Sequence, residues 1–437
     1  MSLLETARDL LAQGPICDAC LGRPFADRSW GLTNRDRGHA LRVSVALADD
    51  TPFEADEEDE PALARESECW VCEGECDRFE EWANLVANEL SAIEFDTYQI
   101  GTKVSPLLEE NGRLLREDAG LDPDAGEPLN REFNREVGKR VGQKLGVTVD
   151  FDRPDVVALL DLATDGIEIQ INPAFVYGRY RKLKRGIPQT EWPCRECNGT
   201  GIQDGVQCDH CGGSGYMYEE SVEELVAPPI EAAMEGTDAT FHGAGREDVD
   251  ALMLGTGRPF VVEVKTPRRR RPDVETLESE INEVAADKVE VTDLALATYE
   301  MVERVKELDA EKTYRAEVEF ETAVASADFE TALAELDGAT IEQDTPDRVA
   351  HRRAKKTRTR TVYAVDGELE DDRHASIEIR GEGGLYIKEL IHGDEGRTQP
   401  NLADLLETTA TVTALDVIAV ESEDEPFATA EFLKESA

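Results

Sequence analysis

Eight of the nine cysteines fall in four C-x-x-C pairs: Cys17/Cys20, Cys69/Cys72, Cys194/Cys197 and Cys208/Cys211. A C-x-x-C turn aims two thiolates at one point, and two such turns complete a tetrahedral zinc site. The chain must therefore bring distant segments to common points, which constrains its topology more than composition does. The later set is the sharper signal. Cys194-Arg-Glu-Cys197-Asn-Gly-Thr-Gly and Cys208-Asp-His-Cys211-Gly-Gly-Ser-Gly are repeated knuckles, and their glycines permit the tight turns that thiolate ligation needs. The earlier set spans an acidic stretch at 49–67, DDTPFEADEEDEPALARES, which reads as a disordered insertion. Cys76 competes for a place in that set; matched spacing favours Cys69 and Cys72 and leaves Cys76 a free thiol. An odd cysteine count and paired knuckles argue against disulfides. Sites made wholly of cysteine leave no open position for substrate, so one or two structural zinc ions are expected and no catalytic metal.

Charge is the second constraint. The 437 residues carry 47 Lys plus Arg against 95 Asp plus Glu, a formal net charge of −48. A hydrophobic content of 40% argues against wholesale disorder. No stretch is long and apolar enough for a membrane span and no secretion signal opens the chain, so a cytoplasmic protein is expected. The basic residues are overwhelmingly Arg rather than Lys, and an acid-rich, Lys-poor surface is that of a protein from a high-salt cytoplasm, as in a halophilic archaeon. At molar salt the screening length is about 3 Å, which makes such self-repulsion tolerable.

Taken alone, −48 argues against a nucleic-acid partner, but the positive charge is segregated. Arg179–Arg185 (RYRKLKR), Lys265–Arg271 (KTPRRRR) and Arg348–Arg360 (RVAHRRAKKTRTR) hold five, five and seven basic residues and no acid. That is the footprint of a phosphate-binding groove on an acidic body. Arg179, Arg181, Lys182, Lys184, Arg185, Arg268, Arg269, Arg352 and Arg353 are the RNA-binding candidates, and Tyr177, Tyr180 and Trp192 are placed to stack on bases.

Periodicity predicts helices over 2–12, 78–93 and 130–145, then strands over 155–162 and 166–171. Further on, residues 249–254 and 259–265 read as a strand–turn–strand about Gly255-Thr-Gly257. Helices are expected over 274–283 and 292–308, and strands over Tyr314–Phe320, 358–364, 375–380 and 411–420. The fold class is α+β, with a mostly antiparallel sheet in the second half.

Gly245-Arg246-Glu247-Asp248 is a turn feeding a strand, and an Arg two residues before an Asp can hold it ionised. Gly-Arg-x-Asp is also the catalytic signature of several tRNA pseudouridine synthases. Around it stand Cys17-Asp-Ala-Cys20-Leu-Gly-Arg23-Pro, Arg153-Pro-Asp-Val-Val, the run from Tyr177 to Thr190, Arg348-Val-Ala-His-Arg-Arg, and Tyr386-Ile-Lys-Glu-Leu-Ile-His-Gly-Asp-Glu-Gly-Arg397-Thr. In this order the chain resembles the archaeal and eukaryotic tRNA pseudouridine synthases of the tenth Pus class, over nearly all of residues 15–407.

The resemblance implies four regions: a zinc-binding segment at 1–78 carrying the acidic insertion, a THUMP-like tRNA-binding domain at 79–192, a zinc-knuckle segment at 193–215 and a catalytic domain at 216–437. It implies isomerisation of uridine to pseudouridine at positions 54 and/or 55 of the tRNA T-loop, with Asp248 as the catalytic carboxylate and no cofactor for catalysis. Tyr314 would stack on the target uracil and Tyr386 would contact it. Lys388 stands where relatives often carry an Arg that pairs with the catalytic Asp, so Arg246, Lys388 and Arg397 are all eligible as the supporting cation. The expected partner is tRNA, and the expected state a monomer. Another THUMP-bearing enzyme would want a Gly-x-Gly-x-Gly cofactor loop or a Walker-type phosphate loop, and neither is found.

Overall fold

The computed structural model describes residues 2–53, 69–308, 310–346, 356–421 and 427–434. Most of the acidic stretch 49–67 lies outside these residues, as do Arg352 and Arg353. The chain divides into two units, Met1–Asn172 and Pro173–Ala437.

In the first unit Ser2 opens helix α1 (Leu3–Leu11) through a reciprocal capping box with Glu5. There follow α2 (Asp18–Gly22), α3 (Asn34–Asp49) and α4 (Phe79–Leu90). Beyond them lie β1 (Thr97–Lys103), α5 (Pro106–Asp118), α6 (Leu129–Leu145), β2 (Thr148–Val149), β3 (Val156–Asp161) and β4 (Gly166–Ile171). The strands form one sheet in the order β2-β1-β3-β4, parallel about β1 and antiparallel between β3 and β4. Leu129, Phe133, Val137 and Val141 recur every four residues along α6, so one helical stripe is apolar. That stripe is buried in a common core with Trp82, Tyr98, Ile100 and Leu160.

Five buried thiols meet in this unit. The sulfurs of Cys17, Cys20, Cys72 and Cys76 all lie within 4.8 Å of one another, and Cys69 sits beside Cys17, Cys20 and Cys72. The expectation that Cys76 stays a free thiol is therefore corrected. Gly74, at φ +87°, and the single 3-10 turn over Glu75–Asp77 curl the chain back and return Cys76 to the cluster. Buried Arg23 donates to the sulfurs of Cys20 (3.3 Å) and Cys76 (3.1 Å) and to Glu132 (2.7 Å).

The second unit begins with β5 (Ala174–Lys182), followed by the hairpin β6 (Ile202–Gln203) and β7 (Val206–Gln207), then α7 (Val222–Ala233) and β8 (Asp238–Gly243). Next come β9 (Met253–Lys265), α8 (Val274–Val284), β10 (Val289–Ala297), α9 (Tyr299–Glu307), β11 (Glu311–Phe320), α10 (Ser326–Leu336) and β12 (Thr340–Asp344). The unit ends with β13 (Thr357–Leu369), β14 (His374–Gly381), α11 (Ile387–His392), β15 (Thr398–Gln399), α12 (Leu402–Leu405) and β16 (Ala410–Glu421). The sheet runs β10-β5-β9-β16-β11-β14-β13-β12-β15, with β8 also paired to β9. Its ladders are antiparallel except for a single parallel contact between Val417 and Met253.

Three expectations change here. Residues 174–182 belong to this sheet rather than to the domain read at 79–192, because β5 is an inner strand between β10 and β9. Residues 249–265 are not a strand–turn–strand. One long strand starts at Met253, with Gly255 and Gly257 at positive φ, and a Cβ at Gly255 would lie 1.8 Å from the Ile418 carbonyl oxygen. Residues 292–297 are strand rather than helix. A register shift between Thr292 and Ala295 changes the alternation phase in β10, which disguises a period of two as a helical spacing.

The knuckles form a second cluster, with Cys194, Cys197, Cys208 and Cys211 mutually within 4.8 Å. Sulfur–sulfur distances are 3.7 Å for Cys17–Cys72, 3.9 Å for Cys194–Cys208 and 3.8 Å for Cys197–Cys211. Tetrahedral thiolates about 2.3 Å from zinc stand roughly 3.8 Å apart, so both clusters fit that ion.

One buried charge network fixes the segment from Ala244 to Asp250. Arg258 on β9 donates to Glu247 (2.9 Å) and to the Ala244 carbonyl oxygen (2.7 Å). Tyr180 on β5 donates its hydroxyl to Glu247 (2.9 Å). Gln189 donates to the Tyr180 oxygen and to the Gly245 carbonyl, each at 2.9 Å. Lys182, fully buried, stands 3.6 Å from Glu247 and donates to the carbonyl oxygens of Asp248 (3.1 Å) and Val249 (3.2 Å). Burial alone would drive the Glu247 carboxyl towards protonation, but Arg258 and Lys182 outweigh it and hold it below the usual range.

Two outcomes follow from this packing. Metal analysis of the purified chain gives two zinc ions; Cys76→Ser and Cys194→Ser each leave one, and Cys69→Ser leaves two. Loss of an ion in Cys69→Ser with none lost in Cys76→Ser would restore the pairing by spacing. Glu247→Gln leaves two buried cations short of their counter-ion and costs about 3–5 kcal/mol of unfolding free energy at pH 7. Because the folded carboxyl titrates below the unfolded one, that gap is full above pH of about 4.5 and closes as pH falls further. Denaturant unfolding at pH 7 and pH 3.5 checks it.

Candidate active site

The segment held by this network opens onto a cavity of about 450 Å3 in the second unit. Asp248, Arg246, Tyr314 and Tyr386 all line it. Asp248 sits at the end of the turn, its carbonyl held from beneath by Lys182. Its neighbour Asp250 has its own carbonyl held by Arg185 at 2.8 Å. The carboxylate of Asp248 faces the Lys388 ammonium at 3.5 Å, and Asp250 shares that ammonium at 3.2 Å. Burial works to raise the Asp250 carboxyl, but Lys388 outweighs it and leaves it below the usual range.

Tyr314 arrives on β11, opposite Val417 of β16 and Ile379 of β14. Burial pushes its hydroxyl up to about 12, with Arg258 acting to lower it and Asp248 to raise it. The ring is thus a neutral phenol at any ordinary pH. Tyr386 precedes α11, and its backbone is clamped at both ends by buried Gln343, which accepts from its N–H and donates to its carbonyl, each at 2.9 Å. Lys388 stands on the first turn of the same helix, so the clamp on Tyr386 also sets the ammonium.

Lys388, one of the three eligible cations, reaches the Asp248 carboxylate. Arg246 lies over the Trp192 ring, 5.6 Å from its centre. Arg397 pairs with Asp394 at 2.8 Å and does not line the cavity. Sequence reasoning missed Arg258, Gln189 and Lys312, which also line it. Lys312 stands two residues before Tyr314, a proximity visible in the sequence. Arg258 comes to the turn before Asp248 through sheet register and Gln189 through the loop after β5, and neither leaves a linear signal.

The first basic run is corrected most. Arg179 is buried and donates to the carbonyls of Thr256, Gly257 and Val420; Lys182 is buried as described. Arg181 pairs with Glu290, and Arg185 pairs with Asp416 at 2.6 Å. Tyr177 and Tyr180 are core residues, not stacking platforms. An inner strand needs counter-ions and carbonyl partners for any cation it buries, so Arg179 and Lys182 serve as scaffold, while Arg181 is half-buried. Lys184, Arg185, Arg268 and Arg269 remain exposed, with Glu220 3.8 Å from Lys184 and Glu235 3.4 Å from Arg269.

Two family models match the chain: "Pus10, C-terminal" over residues 175–421 and "Pus10 THUMP domain, archaeal" over residues 82–161. The tRNA pseudouridine synthase Pus10 of Halorubrum lacusprofundi is 60% identical over 435 residues, covering 100% of both chains. That of Methanothrix thermoacetophila is 46% identical, covering 96% of this chain and 94% of its own. Among solved structures, a Cbf5-Nop10-Gar1 complex matches 47% of this chain and 47% of that chain, at 21% identity and a TM-score of 0.30. Full-length identity to curated relatives and a family model spanning more than half the residues agree: the chain belongs to the Pus10 family.

Proposed function

We propose that this protein isomerises uridine to pseudouridine in tRNA, at positions 54 and/or 55 of the T-loop, as a monomer of a high-salt cytoplasm. Among the described residues no helix is long and apolar enough to cross a membrane. The observation that carries the reading is the Asp248 carboxylate, 3.5 Å from the Lys388 ammonium, at a cavity that Asp248, Tyr314 and Tyr386 line.

The reaction breaks the bond from the uracil nitrogen to the sugar and makes one from uracil C5 to the same sugar carbon. The hydrogen on C5 is lost and the freed nitrogen gains one, so atoms balance without a redox partner. Asp248, 3.5 Å from the Lys388 ammonium, acts on the nucleoside by attack or by proton abstraction during base detachment. Tyr314 offers a neutral aromatic face against which the detached uracil turns without leaving, and the walls around it keep water from the sugar carbon. A target inside the tRNA fold has to be extruded to reach this depth, as in other enzymes that act on flipped bases. The two four-thiolate clusters would hold zinc as structural ions, with no coordination position left for substrate.

The test is a map of pseudouridine on an unmodified tRNA transcript incubated in high KCl. Wild type marks position 54, 55 or both, and Asp248→Asn marks neither. Lys388→Met lowers kcat about tenfold or more, and Lys388→Arg recovers most of it. Identical maps from wild type and Asp248→Asn would overturn the assignment.

A further inference from the structure

The first unit carries a fully exposed tryptophan. Trp30, 100% accessible, sits on the loop between α2 and α3, beside a cleft of about 500 Å3 whose other wall is the start of α6. With its whole ring accessible, the Trp30 indole is free to stack on a partner.

The loop around it is built. Arg37 donates to the carbonyls of Arg28 (2.7 Å) and Ser29 (3.1 Å) and to the Asn34 side chain (3.1 Å). Asn34 in turn donates to Glu127 at 2.8 Å. Gly126 sits so close that a Cβ there would fall 2.1 Å from the Arg23 carbonyl oxygen, which locks the loop against the segment leading into α6.

Charge points to the occupant. Arg28, Arg131 and Lys139 line the cleft and are exposed, and among the described residues none of them has a carboxylate partner. Arg131, Arg135 and Lys139 recur every four residues and so share one face of α6. Two acids also line the cleft: Glu127 is engaged by Arg135 at 2.9 Å, and Asp27 is exposed. In a chain of −48, three exposed cations without a carboxylate partner thus stand around this indole.

We propose that the Trp30 loop and the basic face of α6 form an RNA-contact site of the first unit, in which Trp30 stacks on an unpaired base and Arg28, Arg131 and Lys139 hold the flanking phosphates. Stacking is tolerant of sequence, and it survives salt that weakens phosphate contacts, which suits a protein working in concentrated electrolyte. The site rests on the reading that the partner is tRNA, but not on the chemistry at Asp248.

Binding is read by fluorescence anisotropy of an unmodified tRNA transcript at fixed KCl, with full-length Asp248→Asn protein as the background, so turnover does not intrude. Trp30→Ala weakens binding between about fivefold and a hundredfold, and Trp30→Phe keeps most of the affinity. Arg131→Gln with Lys139→Gln weakens binding and lowers the slope of log affinity against log salt by about one to two. The variants change exposed side chains, and an unchanged melting temperature confirms the fold. Unchanged affinity in Trp30→Ala would overturn the proposal, and would leave a protein partner as the occupant of the cleft. If wild type makes no pseudouridine yet Trp30→Ala still weakens tRNA binding, the catalytic reading fails and this site stands. If no tRNA binds at all, both fall.

Discussion

The turn that carries Asp248 depends on one buried carboxylate. Glu247 is desolvated, and its charge is tolerable only because Arg258 and Lys182 are buried against it and the Tyr180 hydroxyl completes its hydrogen bonds. Those partners come from β5 and β9, adjacent strands of the large sheet. Ionic attraction in a dry interior is strong and specific, so the network fixes the register of the turn against the sheet. Asp248 is the next residue, and Lys182 also takes its carbonyl. The carboxylate at the mouth of the cavity is thus aimed by the carboxylate buried behind it.

The thiolate clusters do comparable work where apolar packing does not reach. Only two-residue strands, β6 and β7, lie within the knuckle segment, and it joins no large hydrophobic core. Its shape comes from four sulfurs and from backbone N–H groups of Gly201 and Gly215 that donate to Cys197 and Cys211 at 3.2 and 3.3 Å. The cluster of the first unit instead lies within that unit's core, where the buried Arg23–Glu132 pair brings charge to its thiols.

Much of this was legible in the residues. The four-residue recurrence of α6, the alternation of β11 and the repeated knuckles carry their own period or spacing, and each formed where it was read. What failed did so for stated reasons. A bulge hid β10 behind a helical spacing. Within the acid-free run at 179–185, Arg179 and Lys182 turn inward, and sequence shows charge but not which side of a sheet receives it. Cys76 was set aside because spacing does not reveal the turn at Gly74. Trp30 passed unnoticed, for exposure is a property of the fold. The convergence of Asp248, Tyr314 and Tyr386 came from motif resemblance; the register of β9, β11 and β16 supplies its geometry.

The first basic run is therefore divided, with Arg179 and Lys182 folded inward as scaffold and Lys184 and Arg185 left outside. Whether the inward charge aims the Asp248 turn is the central claim, and Lys182 tests it most directly, since it holds the backbone of Asp248 without itself lining the cavity. Single-turnover kinetics of Lys182→Met on a tRNA transcript, beside its equilibrium tRNA affinity and melting temperature, separate aiming from folding. The account predicts a rate at least about tenfold lower with tRNA affinity unchanged in a protein that still melts cooperatively. A folded Lys182→Met protein with the wild-type rate would contradict it.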